Sequence, residues 1–408
     1  MARCFFWFFT TGFIATAFRR KILIVGEWKI GSAIVYETFN KHPKSFYLHD
    51  LFYIANNHVK KQLQILQEYF TDCEIPYLPH YLDHNYTIIE RKNLQDDITD
   101  LCRHQKVCFR EFSEALRRPP FCRRPVDKSD ITSLNDVYMC GPVDLGLAQA
   151  QCKKSRIVAT KVTRLIKLSM LEQGGFKEMP NFHLVYIVRD PRALVASRLA
   201  VFEKRFAAEN QATPSWVMED FKHVCDRYID NWNYLASPQG QWLKEKLILI
   251  RYEDFALNPQ AYVRKIYKIL NIKPTDIKSI LHVEQEIYKM THAFKDEPEA
   301  RNLIYGMNSL SASSAAAQQG ANLGNMDDDI IGLTDEDETD DDYSTDKNAE
   351  KTVFAWKDRL SFPVAKLVQD ESCGRGLLHA LGYKIYLDEN DYFSSTYPLD
   401  ERWPYKLV

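Results

Sequence analysis

The chain has 408 residues, of which 45% are hydrophobic and 26% are charged. These values are ordinary for a globular protein and exclude a wholly disordered or fibrous chain. The formal net charge of −2 hides an asymmetry, because eleven carboxylates lie between Asp327 and Asp346 and the rest of the chain carries +9 without them. A basic body suits an anionic ligand, and a solvated basic surface is the alternative interpretation.

The chain opens with an apolar, uncharged run from Cys4 to Phe18, which Arg19, Arg20 and Lys21 follow. The run predicts a signal peptide or a short membrane anchor over residues 1–20. Two features oppose the anchor: the flanking charge lies on the wrong side for a lumenal C-terminus, and a strand follows at once. A missing N-terminal part is therefore the alternative.

Short apolar runs alternate with segments of helical pattern along the chain. Strands are predicted at 21–26, 46–48, 157–161, 183–188 and 247–250. Helices are predicted at 32–41, 52–72, from Pro191, from Ser215, at 260–270 and at 363–381, where Gly382 ends the last one. This alternation predicts an α/β fold with a mostly parallel, P-loop-like sheet flanked by helices.

Residues 308–351 interrupt this pattern. They are rich in Ser, Ala, Gln and Gly and then become acidic, a composition that buries too little apolar surface to offset the entropy of ordering. We therefore expect a disordered acidic insertion there. It divides the predicted domain into residues 21–307 and a C-terminal part at 352–408.

The chain has nine cysteines, and five of them lie between Cys102 and Cys152. No pair has the spacing of a zinc site, so disulfides in an oxidising lumen are the better interpretation, and no metal is expected. Since nine is odd, at least one thiol is unpaired within the chain. Asn85-Tyr86-Thr87 is a glycosylation sequon, which agrees with a lumenal location.

The first candidate site is the loop 26–33, Gly-Glu-Trp-Lys-Ile-Gly-Ser-Ala, between a predicted strand and a predicted helix. Such a loop directs backbone amides and the positive end of the helix dipole at one point, which suits a phosphate. It lacks the Lys-Ser/Thr pair after its second glycine, which disfavours an ATP-dependent kinase. A simple strand-to-helix corner is the alternative.

The second candidate site is Arg189-Asp190-Pro191-Arg192-Ala193 with Ser197, at the end of the strongest predicted strand. Ligands gather at this end of the strands in open α/β sheets. A guanidinium grips a phosphate with two hydrogen bonds, and a nearby hydroxyl adds another. The alternative is a surface arginine paired with Asp190.

Together these two elements resemble the carbohydrate sulfotransferases of the Golgi. That family has a Trp-Arg-Ser-Gly-Ser-Ser loop, here residues 28–33, and an Arg-Asp-Pro-Arg-Ala element, which is intact at 189–193. The resemblance continues through Lys161-Val162-Thr163-Arg164, through Arg251-Tyr252-Glu253-Asp254 and through Trp356-Lys357. It covers roughly 21–305 and 352–386.

The resemblance implies a sulfotransferase fold and the donor 3′-phosphoadenosine 5′-phosphosulfate (PAPS), with PAP as product. Donor-binding residues by this resemblance are Trp28, Lys29, Gly31, Ser32, Ala33, Arg189 and Ser197. The catalytic residues are Lys29 and the base Asp50, which stands where the family has a Glu, with His49 as a second candidate base.

The resemblance also implies a glycan or glycoprotein acceptor, modified at the 6-hydroxyl of an N-acetylglucosamine- or galactose-type sugar. The expected location is the Golgi membrane with the catalytic domain in the lumen, and no nucleic-acid partner is expected. Lys29, Ile30 and Ala33 replace Arg, Ser and Ser of the family loop. Because two hydroxyls are lost, the alternative function is a non-catalytic relative that binds nucleotide or glycan.

Overall fold

The computed structural model describes residues 19–49, 51, 59–75, 113–125, 143–163, 165, 167–208, 215–273 and 353–394. Five strands form one sheet: β1 (Arg20–Val25), β2 (Ser45–His49), β3 (Ile157–Val162), β4 (Phe182–Val188) and β5 (Leu247–Arg251). Their order across the sheet is β2-β3-β1-β4-β5, and every neighbouring pair is parallel. The predicted α/β fold with a parallel sheet is confirmed.

Helices connect the strands. They are α1 (Ala33–Asn40), α2 (Val59–Asp72), α3 (Leu145–Lys154), α4 (Met170–Gln173), α5 (Pro191–Ala208), α6 (Ser215–Ala236), α7 (Gln241–Lys244), α8 (Tyr252–Leu257) and α9 (Pro259–Ile269). The C-terminal segment, residues 353–394, adds α10 (Trp356–Arg359), α11 (Phe362–Leu367), α12 (Gly374–Ala380) and α13 (Glu389–Ser394). A 3₁₀ turn covers Glu114–Leu116.

The central strands are buried along nearly their whole length. In β1 only Arg20 is partly exposed, and β3 is buried at every position. Continuous runs of Ile, Leu and Val are what a parallel sheet covered on both faces requires. The same hydrophobicity allows these five strands to be predicted from the sequence.

The strand order creates a crevice between the ends of β1 and β4. These strands are neighbours, but the chain leaves β1 toward β2 on one side and leaves β4 toward β5 on the other. At such a reversal the two exits lie on opposite faces of the sheet, and a crevice opens between them. The topology thereby brings the two predicted loops, 26–33 and 189–193, to one place on the carboxyl edge of the sheet.

The predicted last helix is wrong in one respect. Instead of one helix over 363–381, α11 gives way to a π-helical turn at Val368–Ser372, and α12 begins at Gly374 with a positive φ of 74°. The stop at Gly382 is confirmed by its φ of 73°. Of the predicted helix 52–72, residues 52–58 lie outside the described part of the chain.

Two disulfides confirm the prediction from the cysteine content. Cys73 and Cys152 join the end of α2 to α3, and Cys225 and Cys373 join α6 to the C-terminal segment. Cys122 is also disulfide-bonded. None of the helices that the structure describes is both long and apolar enough to cross a bilayer. The acidic residues 308–351 and the apolar run 4–18 lie outside the described residues.

Lys273, the last described residue after α9, lies at the amino edge of the sheet, where the strands begin. His42, just before β2, has its Nε2 atom 3.4 Å from the carbonyl of Lys273. The amides of Arg156 and Ile157 donate to the carbonyl of Lys44 at the same edge. Lys273 therefore lies at the end of the sheet opposite the crevice.

Candidate active site

The loop 26–32 between β1 and α1 has two residues with left-handed backbone. Lys29 has φ +64° and Gly31 has φ +79°. The carbonyl of Ser32 accepts a hydrogen bond from the amide of Tyr36 at 3.0 Å, which begins α1. Because the first amides of a helix have no acceptor within it, this loop can present N–H groups to an anion.

Arg189, in the β4–α5 turn, contacts this loop directly. Its Nη1 atom donates to the carbonyl of Lys29 at 2.8 Å, and the side chain is only 5% exposed. The amide of Arg189 donates to the hydroxyl of Tyr228 on α6 at 3.2 Å. The two predicted loops are therefore parts of one site.

Tyr252, the first residue of α8, fills the gap between the two loops. The Arg189 guanidinium carbon lies 4.6 Å from the centre of its ring. A Cβ atom added to Gly31 would lie only 2.2 Å from Cε2 of the same ring. Gly31 is thus required both by its backbone angle and by the aromatic ring against it.

Glu27 connects the loop 26–32 to α5 and α6. Its carboxylate accepts two hydrogen bonds from Arg227 on α6, both at 2.8 Å, and one from Arg198 on α5 at 3.2 Å. Burial alone raises the pKa of Glu27, but the two guanidinium groups outweigh burial and hold the pKa below its usual range. Arg198 also donates to the carbonyl of Trp28 at 3.0 Å. The loop is therefore held to two helices by charged hydrogen bonds.

Arg192 belongs to the predicted second element but faces away from the crevice. Its guanidinium binds the Asp190 carboxylate with Nε at 3.0 Å and Nη2 at 2.7 Å. It also donates to the carbonyl of Lys384 at 2.9 Å and lies against the rings of Trp356 and Tyr386. Arg192 is fully buried and joins the β4–α5 turn to the C-terminal segment.

A second group of polar side chains lies where β2 and β3 end. His49 and Lys161 are partners in the register of these strands. Tyr36 packs on both, with its ring 5.3 Å from the His49 ring and 5.3 Å from the Lys161 Nζ atom. The hydroxyl of Tyr47 lies 3.2 Å from Nδ1 of His49. His49 is therefore held at the carboxyl edge of the sheet.

The predicted site residues are described to different extents. Lys29, Gly31, Ser32 and Arg189 are buried in or beside the crevice, while Trp28 and Ser197 are half-buried. Ala33 begins α1, and Asp50 lies outside the described residues. Sequence reasoning missed Glu27, Arg198 and Arg227 as supports of the loop, because no local pattern links residues 200 positions apart.

Comparison with protein families places the chain. The sulfotransferase domain family matches residues 19–301. This match spans well over half of the chain and includes both loops of the crevice, so the chain belongs to the sulfotransferase family.

The curated relatives are more particular. The chain is 24% identical over 399 residues to carbohydrate sulfotransferase 3 of Rattus norvegicus, covering 91% of this chain and 69% of that protein. It is 26% identical over 281 residues to carbohydrate sulfotransferase 1 of Danio rerio, covering 62% of each. These relatives confirm the family that the motifs predicted, the carbohydrate sulfotransferases, and with it the prediction of an enzyme.

Solved structures match the chain only loosely. A sulfotransferase from Alicyclobacillus acidocaldarius matches with a TM-score of 0.32 and 12% identity, covering 71% of this chain and 96% of that one. Retinol dehydratase in a complex with retinol and PAP matches with a TM-score of 0.25 and 13% identity, covering 66% and 65%. These superpositions are too loose to assign residues of one chain to residues of the other.

Proposed function

We propose that the protein transfers a sulfuryl group from PAPS to a glycan hydroxyl, the 6-hydroxyl of an N-acetylglucosamine- or galactose-type sugar. The observation that carries the proposal is the 2.8 Å hydrogen bond from Arg189 Nη1 to the carbonyl of Lys29. It joins the loop expected to bind one end of the donor to the turn expected to bind the other. The names of the curated relatives support a carbohydrate acceptor.

In this proposal the donor lies across the crevice. The amides of the loop, with Trp28, Lys29, Gly31, Ser32 and Ala33, bind the 5′-phosphosulfate at the start of α1. Arg189 and Ser197 bind the 3′-phosphate. Cationic side chains gathered at the carboxyl edge favour this anionic ligand: Lys29, Lys161 and Arg189 are 8%, 1% and 5% exposed.

The proposed reaction is an in-line transfer. Asp50 takes the proton of the acceptor hydroxyl while the oxygen of that hydroxyl attacks the sulfur. The bond from sulfur to the 5′-phosphate oxygen breaks. Lys29 and the loop amides stabilise the negative charge that develops on the sulfuryl group and the leaving PAP. His49 is the second candidate for the base, since its ring is held in place by Tyr36 and Tyr47.

A non-catalytic relative is the second candidate function, and Ile30 favours it. Ile30 stands where the family has a serine, and its side chain is fully buried in the core. A hydroxyl is therefore replaced by a core residue, while the backbone of the loop keeps its amides. Such a protein would bind PAP and transfer nothing.

We also propose a Golgi location, with residues 21–307 and 352–408 forming the domain in the lumen and residues 1–20 serving as a signal peptide or anchor. The two disulfides support an oxidising compartment. The acceptor is then a glycan or glycoprotein in the same lumen.

The test is a transfer assay on the full chain, expressed through a secretory pathway. Radiolabelled PAPS is incubated with a panel of glycans that differ in their terminal sugar, and PAP binding is measured by calorimetry. We expect label on a GlcNAc- or galactose-type acceptor, and loss of PAP binding in Arg189→Ala. PAP binding without transfer to any acceptor would favour the non-catalytic relative, and ATP binding tighter than PAP binding would contradict both.

A further inference from the structure

Glu253 is a buried carboxylate next to the crevice that the proposed reaction does not use. It is the second residue of α8 and only 1% exposed. Its Oε1 atom accepts a hydrogen bond from the amide of Asp190 at 3.0 Å, and its Oε2 atom accepts one from the hydroxyl of Tyr383 at 3.0 Å. Glu253 thus connects the β4–α5 turn to the C-terminal segment.

The C-terminal segment is a firm support for this connection. Next to Tyr383, the carbonyl of Gly382 accepts from Arg251 Nη1 at 2.8 Å, and the carbonyl of Lys384 accepts from Arg192 Nη1 at 2.9 Å. The residues on both sides of Tyr383 are therefore bound to the domain. One oxygen of Glu253 is held by this support, and the other orients a peptide group of the turn.

The peptide group that Glu253 orients is the one that follows Arg189. Its N–H is the amide of Asp190, so its direction sets how the Arg189 side chain leaves the backbone. We propose that Glu253 is a positioning residue, which holds the β4–α5 turn so that the Arg189 guanidinium faces the Lys29 loop and the donor. The proposal rests on the proposed function, because it assigns Glu253 to the binding of the PAPS 3′-phosphate by Arg189.

Glu253 also links donor binding to pH. The charged and titratable groups that face it are Arg189 and Asp190 from the β4–α5 turn, Arg251 from β5, Tyr228 from α6 and Tyr383 from the C-terminal segment. Burial, followed by the Asp190 charge, raises the pKa of Glu253 to about 7. A neutral carboxyl can still accept from the Asp190 amide, and its own proton can be donated to the Tyr383 oxygen. Positioning therefore survives protonation.

The sign of the pH effect follows from charge. A phosphate bound at Arg189 adds negative charge near Glu253 and disfavours the carboxylate, so it raises the pKa of Glu253 further. Binding of PAP then takes up a proton, and by reciprocity PAP binds more tightly as the pH falls through 7. A rise of half to one pKa unit corresponds to about three- to tenfold in Kd.

The test compares Glu253→Gln with Glu253→Ala by PAP calorimetry between about pH 6.5 and pH 8, where the PAP phosphate stays mostly dianionic. In the glutamine variant the amide oxygen can accept from Asp190 and the amide nitrogen can donate to Tyr383, with no charge. We expect the glutamine variant to bind PAP as tightly as the wild type at the lower pH. Its Kd should then change with pH only as far as the ionisation of PAP itself requires, whereas the Kd of the wild type should change more. Glu253→Ala loses both bonds, and we expect its Kd for PAP to rise about 10- to 100-fold.

Tyr267→Phe is the matched control. It removes a buried hydroxyl that donates to the carbonyl of Thr38, and its ring contacts His42 near the amino edge. It loses a buried hydrogen bond far from the crevice, so we expect it to lower stability and to leave PAP binding unchanged.

Two results would overturn this inference, the first its positioning role and the second its link between PAP binding and pH. One is a folded Glu253→Ala protein with wild-type Kd for PAP. The other is a Glu253→Gln protein that keeps the full pH dependence of the wild type. A wild-type protein that binds no PAP at any pH would overturn the proposed donor as well, which separates failure of the proposed function from failure of this inference alone.

Discussion

Lys29 is the residue at which backbone and chemistry conflict. A residue with a side chain at φ +64° costs about 1–2 kcal/mol relative to one in the ordinary backbone conformation. The conformation is kept because Arg189 binds the Lys29 carbonyl and Glu27 holds the loop to two helices. Strain of this kind collects where a chain must present groups to a ligand. The ammonium group lies 5.7 Å from the centre of the Trp28 ring, on the loop beside the crevice.

We expect Lys29→Ala to lower kcat by about 100- to 1,000-fold, the usual effect of removing one stabilising donor at a developing charge. PAP binding should change only a few-fold, since the amides of the loop persist. Steady-state kinetics and PAP calorimetry measure the two effects. Lys29→Arg, which keeps the charge, is the control, and an alanine variant with wild-type kcat would contradict the role of Lys29.

Asp50 is the predicted base, and Asp50→Asn tests it. A general base contributes about 100- to 10,000-fold, so we expect kcat to fall within this range while Kd for PAP is unchanged. His49→Gln is made in parallel. If the histidine variant loses the activity and the Asp50 variant keeps it, the base is His49.

Part of the site was legible in the sequence because its residues stand next to strong strand signals. Arg189 directly follows β4, and Lys29 and Gly31 lie in the loop after β1. Glu253 was inside a motif that carried the resemblance, but no local rule says that its carboxylate meets the amide of Asp190, 63 positions away. Contacts of this kind come from the order of the strands.

At the scale of the element, three glycines distinguish the two costs of adding a methyl group, which are backbone strain at positive φ and steric contact with neighbouring atoms. Gly31 has both a positive φ and the Tyr252 ring at 2.2 Å from an added Cβ. Gly374 has a positive φ of 74° with open space, and Gly376 has neither constraint. Gly374 and Gly376, both in α12, are therefore matched controls for Gly31 in the loop after β1.

Alanine at each of these glycines should give graded effects on stability. We expect Gly31→Ala to lower the free energy of unfolding by about 2–4 kcal/mol, from backbone strain and overpacking together. Gly374→Ala should cost about 1–2 kcal/mol, and Gly376→Ala in α12 should stabilise by up to about 1 kcal/mol. Urea unfolding followed by circular dichroism measures all three. Equal losses for Gly31 and Gly374 would show that the Tyr252 contact carries no cost.

The elements themselves were predicted well where hydrophobic periodicity is strong. The five strands and the helices that follow Ser32, Pro191 and Asn258 agree with the structure to within one or two residues. The break between α11 and α12 was not predicted, because 363–381 keeps a helical pattern through Gly374. The disulfide from Cys373 to α6 and the bond from Gln369 Nε2 to the carbonyl of Tyr386 accompany the break, and both depend on distant parts of the chain.

At the scale of the whole molecule, the Cys225–Cys373 disulfide connects residues 148 positions apart. Cys373, just before α12, belongs to the C-terminal segment, which supports the β4–α5 turn through Arg192 and Tyr383. The Cys73–Cys152 disulfide, with a separation of 79, joins α2 and α3 instead. The two bridges therefore support different parts of the molecule.

We expect Cys225→Ala with Cys373→Ala to lower the free energy of unfolding by about 2–5 kcal/mol and to weaken PAP binding as well. The Cys73→Ala, Cys152→Ala protein should lose a similar stability and keep its PAP affinity. Denaturant unfolding and calorimetry on the two double variants measure this difference. Equal PAP affinities in both would mean that the C-terminal segment stays docked without its bridge.

The position of Lys273 has a consequence for how such a chain tolerates change. Lys273, after which the stretch 274–352 follows, lies at the amino edge of the sheet beside His42, while the crevice opens at the other end. The entropy needed to close a chain segment grows only with the logarithm of its length, about 0.6 kcal/mol for each doubling. Lengthening or shortening the predicted insertion 308–351, which lies within this stretch, should therefore change stability only slightly and leave the geometry around Arg189 intact.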